Sequence, residues 1–326
     1  MKKIGIGILA LLAVVVMVYA LGPIPSFEPI DKSPRTLNIN INDIDAYVAS
    51  LELGAGEIKE DNEARIIWAD SIRKTQYSLV YLHGFSATQE EGDPIHKDIA
   101  EHYGMNLYLA RLKDHGLKSN DAFKNLTPKA LIESAKEAIA IGKVIGEKVI
   151  VMSCSTGGTF SAILAPYDQK IAGLIMYSPN IDIADPTSEL VTGPWGNKLI
   201  RLAMKGEYNH INYDSLPKQY WMSQYHVDGI IALKYLIEQE MTRENFEKIT
   251  TPIYIGYYPQ DDVVSVPDMK KFYEQISSPE GAKEMHAFEN SGHHVISSYI
   301  FSKSVPEIEE STKMFVENVL KISPVQ

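Results

Sequence analysis

Within KVIVMSCSTGGTFSAIL, residues 148–164, Ser155 stands among small neighbours where an apolar, β-branched run gives way to a helix-compatible one. A serine held at a sharp strand-to-helix turn presents its hydroxyl to a cleft, and the residues two before and two after it come too close together to carry large side chains. Ser153 and Gly157 meet that demand. Centring the turn on Cys154, an intrinsically better nucleophile, would put Met152 and Thr156 at the crowded positions, so the spacing selects Ser155. The chemistry open to such a hydroxyl is attack on an acyl carbon, which needs a base for its proton and donors for the oxyanion that forms. A serine ahead of a helix also serves as a plain N-cap, so this motif does not decide the matter by itself.

Three further segments supply the missing partners. SLVYLHGFSAT, residues 78–88, is an apolar run that breaks at His83-Gly84, a turn that aims the Phe85 N–H into a cleft. With the N–H of Thr156, the residue after the serine, it makes a pair of oxyanion donors. TPIYIGYYPQDDVVSVP, residues 251–267, runs into the acidic pair Asp261-Asp262, and AFENSGHHVI, residues 287–296, runs into His293-His294. Acids after a proline form ordinary turns, and a histidine after a glycine is commonly a surface residue. What sets these apart is that each closes an apolar run after the serine, in the order serine, acid, histidine.

Together, from about Tyr77 to the C-terminus, the four segments resemble the serine esterase and lipase branch of the α/β-hydrolase superfamily, with Ser153 in place of the more usual glycine. The resemblance implies an α/β fold, a mostly parallel sheet with helices on both faces and a helical lid inserted at about residues 182–248. It also implies a triad of Ser155, Asp261 and His293. Asp261 is chosen over Asp262 because Val263 and Val264 follow it after one residue, and His293 over His294 because it directly follows Gly292. In these roles His293 takes the serine proton, Asp261 holds the imidazole, and the N–H groups of Phe85 and Thr156 bind the oxyanion. The implied reaction is hydrolysis of a carboxylic ester through an acyl-enzyme, with no metal or organic cofactor. Thioester, peptide and acyl-transfer chemistry use the same triad. A binding module on the same fold, without catalysis, is the reading from a different class.

Positioning these residues demands alternating strands and helices. Expected helices cover residues 44–53, 93–102 and 128–145, the last with Thr127 as N-cap and Pro128 at its first position. Expected strands cover 64–69, 105–112, 149–152 and 171–177, an alternation that gives a mostly parallel sheet covered on both faces. His115, in RLKDHG, reads as a residue that structures its loop. Within the lid, residues 220–241 carry aromatic and aliphatic side chains at helical spacing, from Trp221 and Tyr225 to Leu236.

Composition fits one large domain at residues 75–326, preceded by a proline-rich linker and extension at 22–74. The chain has 326 residues, 45% of them hydrophobic, and a net charge of −11 without a basic cluster, which argues against nucleic acid as a partner. One cysteine excludes an internal disulfide, and no CxxC or HExxH spacing marks a metal site. Residues 1–21 begin with Lys2 and Lys3 and continue as an uncharged run from Ile4 to Leu21, which reads as a membrane anchor or a signal peptide. Either way the enzyme is expected outside the cytoplasm, membrane-anchored or exported, with an ester as its small-molecule or lipid partner.

Overall fold

The computed structural model describes residues 2–325, with side chains at Leu9 and from residue 11 onward. Helices α1 (Lys2–Ala20) and α2 (Ile44–Leu53) lead to strands β1 (Arg65–Ile67) and β2 (Thr75–Leu82). Next come α3 (Ile95–His102), β3 (Asn106–Leu109), α4 (Pro128–Ile145), β4 (Gly146–Cys154), α5 (Thr156–Leu164) and β5 (Ile171–Tyr177). A cap follows, built from α6 (Gly196–Ala203), β6 (Tyr208–His210), α7 (Ser215–Tyr220), β7 (Gln224–His226), α8 (Asp228–Glu240) and α9 (Arg243–Phe246). The chain then returns through β8 (Ile253–Tyr257), α10 (Val266–Gln275), β9 (Lys283–Ala287) and α11 (Val305–Asn318).

Seven strands make one sheet in the order β1-β3-β2-β4-β5-β8-β9, parallel throughout except for β1, which pairs antiparallel with β3 at the edge. The period-2 alternation of each central strand divides the core. Val80, Leu82, Val149, Val151, Met176 and Ile255 face the layer of α2, α4, α5 and α10. Leu79, Tyr81, Ile150, Met152, Ile175 and Tyr254 face α3 and α11. Strands buried on both faces read as unbroken apolar runs, which is why they are visible in the sequence.

Local chemistry sets the helix that braces the centre of this sheet. Thr127 Oγ1 accepts the Ala130 N–H at 3.2 Å and Pro128 occupies the first turn of α4. Gly142 lets α4 approach closely, because a Cβ there would overlap Val80 of β2.

Two regions differ from the sequence expectation. The single helix expected through residues 220–241 is interrupted: β7 pairs antiparallel with β6, Asn209 Nδ2 donates to Tyr225 Oη at 2.6 Å, and α8 begins only at Asp228. Hairpin pairing overrides the helical spacing here, and Trp221 and Tyr225 reach the interior from a turn and a strand. The proline-rich segment is extended as expected, yet it is fastened to the domain. Phe27 and Ile30 pack on the core, and Lys136 Nζ reaches the Asp31 carboxylate at 3.0 Å. Among the described residues no helix is long and apolar enough to cross a membrane. Met1 and the side chains of residues 2–8 and 10, which belong to the expected anchor, lie outside the description.

Candidate active site

Ser155 links β4 to α5 with φ 51° and ψ −118°, a conformation that a residue with a side chain adopts only under constraint. The constraint is visible. Its N–H donates to the Tyr177 carbonyl of β5 at 2.9 Å, and its own carbonyl accepts the N–H groups of Gly158 and Asn180, each at 2.9 Å. The demand for a small residue at position 157 comes from the neighbouring strand, since a Cβ on Gly157 would run into the Leu82 carbonyl at the end of β2. Ser153 is fully buried beneath the turn. Cys154 is buried too, and desolvation, with Glu91 close by, pushes its thiol well above the ordinary range. That removes it as a competing nucleophile.

The turn after β2 is fixed by His83. Its Nε2 accepts the Leu112 N–H at 3.0 Å, so Nδ1 carries the proton and donates to the Gly84 carbonyl at 2.9 Å. Complete burial, with His115 beside it, holds His83 well below its usual pKa and hence neutral. His115 is neutral for the same reason, its pKa lowered to about 3, and its ring packs against those of His83 and Phe85. The Phe85 N–H has no acceptor among the described residues. Thr156 is the first residue of α5, where an N–H has no acceptor within its helix.

The acid and the histidine meet after β8 and β9. Asp261 Oδ2 lies 2.6 Å from Nδ1 of His294, while Oδ1 accepts the N–H groups of Val263 at 2.9 Å and Val264 at 3.1 Å. Desolvation opposes the charge on Asp261, but His294 and the two N–H groups together outweigh it and hold the carboxyl below its ordinary pKa. The histidine that follows Gly292 is therefore not the partner, which corrects the choice of His293. Gly292 turns the chain at φ 70°, and the Val295 N–H donates to His293 Nδ1 at 3.0 Å. This folds the His293 ring back onto Phe301, where it stacks at 4.1 Å with a 9° tilt. His294, one residue on, faces Asp261. Its Nε2 is buried without a partner among the described residues, and no hydrogen bond joins it to Ser155.

Ser155, Thr156, Phe85 and both histidines line one cavity of about 360 Å³. The cap roofs it with Tyr213, Trp221, Tyr225, Ile230 and Leu233. Two open surface grooves are larger, about 830 and 980 Å³, but hold none of these groups, so chemistry rather than size selects the site. Among the described residues no three His, Cys, Asp or Glu side chains gather as a metal site.

One residue on the cavity wall escaped the sequence reading. Glu91, 2% exposed, accepts the Gly84 N–H at 2.5 Å and the Tyr81 hydroxyl at 3.2 Å. In the run Gln89-Glu90-Glu91-Gly92 nothing marks it apart from a solvated acid. The one local hint is Gly84, where a Cβ would stand 2.6 Å from Glu91 Oε1.

No protein-family model matches the sequence, and no curated protein matches it. Solved structures do match. A metagenome-derived lipolytic enzyme, of the LipS and LipT pair, superposes with a TM-score of 0.63 at 16% identity, over 80% of this chain and 99% of the other. The monoacylglycerol lipase of Paleococcus ferrophilus gives 0.58 at 13% identity over 80% and 98% of the two chains. Est1E from Butyrivibrio proteoclasticus, solved with ferulic acid bound, gives 0.53 at 16% over 79% and 95%. The chain has the α/β-hydrolase fold, in the form shared by these lipases and esterases.

Proposed function

We propose that the chain is a carboxylic ester hydrolase that works through an acyl-enzyme, with Ser155 as nucleophile, His294 as general base and Asp261 as the group that orients it. The observation that carries the reading is the Asp261–His294 pair, whose histidine, with its Nε2 unpartnered among the described residues, lines the same cavity as the strained Ser155. An ionised Asp261 keeps the imidazole proton on Nδ1, leaving Nε2 free to accept. The Ser155 hydroxyl passes its proton to that nitrogen as its oxygen bonds to the ester carbon. The N–H groups of Phe85 and Thr156 receive the oxyanion, each worth roughly 3–4 kcal/mol to the transition state. The imidazolium then protonates the departing alcohol, and water repeats the sequence to release the acid.

The roof favours an uncharged acyl group. Aromatic and aliphatic side chains dominate it, and among the described residues no lysine or arginine lines the cavity, so a free carboxylate on the substrate would lose its hydration without compensation. A fluorophosphonate should label the wild-type chain and fail to label Ser155→Ala. Equal labelling of the two would remove the assignment, and a series of esters of rising acyl length would then locate the preferred chain.

The expected place at a membrane is part of the same proposal. Leu11, Leu12, Val14, Val15, Val16 and Val18 of α1 are each more than half exposed, an apolar surface of the kind that a lipid phase covers.

A further inference from the structure

The proton transfers above make no use of Glu91, although it lies against the centre of the site. Its Oε1 and the Ser155 Cβ both fall within 3.0 Å of the point where a Gly84 Cβ would stand, so carboxyl and serine both crowd the side-chain face of Gly84. Its Oε2 holds the Gly84 N–H at 2.5 Å, one peptide before the N–H of Phe85. The groups facing it are Tyr81 from β2, Cys154 from β4, Tyr213 from the cap and His294 from the segment after β9. No lysine or arginine joins them among the described residues. A buried carboxylate without a cation is costly, and a structure that tolerates one commonly keeps it protonated or uses it.

Taking Ser155 as the nucleophile, we propose that Glu91 is a positioning residue of the oxyanion turn: it grips the Gly84 peptide so that the Phe85 N–H stays directed into the cavity, and it serves best when uncharged. A neutral carboxyl still accepts the Gly84 N–H through its carbonyl oxygen. An ionised one adds a negative charge beside the position of the oxyanion. The imidazolium offsets this only in part, because Glu91 reaches His294 through space while it is bonded to the turn itself. Burial moves the Glu91 pKa up to about 7, the hydrogen bond from Gly84 and the field of His294 opposing, so its charge changes within the working range of a serine hydrolase.

The test compares wild type, Glu91→Gln and Glu91→Ala by pH-stat hydrolysis of a short-chain ester between pH 5.5 and 9, with fluorophosphonate labelling of all three. Glutamine keeps the acceptor and cannot ionise, so its kcat should lie within about 5-fold of wild type at pH 6, and the ratio of variant to wild type should climb about 10-fold through pH 7. Alanine removes the grip, so kcat should fall about 10- to 100-fold at every pH with KM little changed. A ratio independent of pH, or an alanine variant with wild-type kcat, overturns the proposal while wild type is still labelled at Ser155. A wild type that resists labelling overturns the nucleophile assignment and this proposal together.

Discussion

A hydroxyl attacks only when its proton has somewhere to go, and two adjacent histidines offer very different destinations. Nδ1 of His294 lies against the Asp261 carboxylate and its Nε2 has no partner among the described residues, whereas the His293 ring is stacked on Phe301 and bonded into its own turn. His294→Ala should therefore lower kcat by about 10⁴-fold or more, while His293→Ala should retain activity within about 10-fold, both read on one soluble ester. Loss in the second variant alone would restore the sequence-based choice. The turn at Ser155 was legible because sterics restrict its flanks to small residues, and Asp261 was reached only through the resemblance, in which one variable and two apolar residues follow the acid. Which histidine pairs with it was not legible, since Gly292 decides the direction of each ring through a backbone angle that spacing does not encode. Glu91 was hidden for another reason: burial of an acid is a property of the tertiary fold. Its raised pKa also has a consequence for stability. Between the ordinary value of 4.5 and about 7 the unfolded chain has lost this proton and the folded chain keeps it, so stability falls as pH rises through that window and stays reduced above it. Glu91→Gln should melt higher than wild type at pH 8, by roughly 5 °C, with the gap closing toward pH 4.5. A constant gap in calorimetry would show that Glu91 is not the group that titrates.

At the scale of elements, the strand–turn–helix unit from β4 to α5 converts sheet geometry into a strained serine, and β2 is its anvil. Gly157 lies so close to the Leu82 carbonyl that a methyl group must displace either the start of α5 or the end of β2. The second choice would disturb the turn through Gly84 and Phe85 as well. Gly157→Ala should thus lower stability by about 1–3 kcal/mol in urea unfolding and reduce fluorophosphonate labelling more than its loss of fold accounts for. A variant of unchanged stability and labelling rate would show that the contact relaxes at no cost. The central strands, α4 and α5 were readable because doubly buried strands and capped helices carry their own patterns. The cap was only half readable: α8 has a helical period, whereas β6 and β7 are too short to show alternation and form because they find each other.

For the molecule as a whole, the open matter is how a chain with a net charge of −11 would meet a lipid surface. The overall charge opposes anionic headgroups, so the attraction rests on apolar burial along α1, each partly exposed valine or leucine contributing roughly 1–2 kcal/mol when covered. The helix is also tied to the cap. Trp195, at the start of α6, donates from Nε1 to the Val18 carbonyl at 3.0 Å and from its backbone to the Pro23 carbonyl at 2.8 Å. A surface that holds α1 would therefore hold the roof of the cavity near it. The full chain should float with neutral phosphatidylcholine vesicles, because the apolar face of α1 needs no headgroup charge to bind. A chain lacking residues 1–22 should stay in the aqueous fraction while hydrolysing a soluble ester at a kcat within about 2-fold of the parent, because no catalytic group lies there. If the shortened chain floats equally well, the apolar helix is not the attachment, and the exposed side chains of α6, Leu202 at 77% exposure foremost, become the surface to alter next.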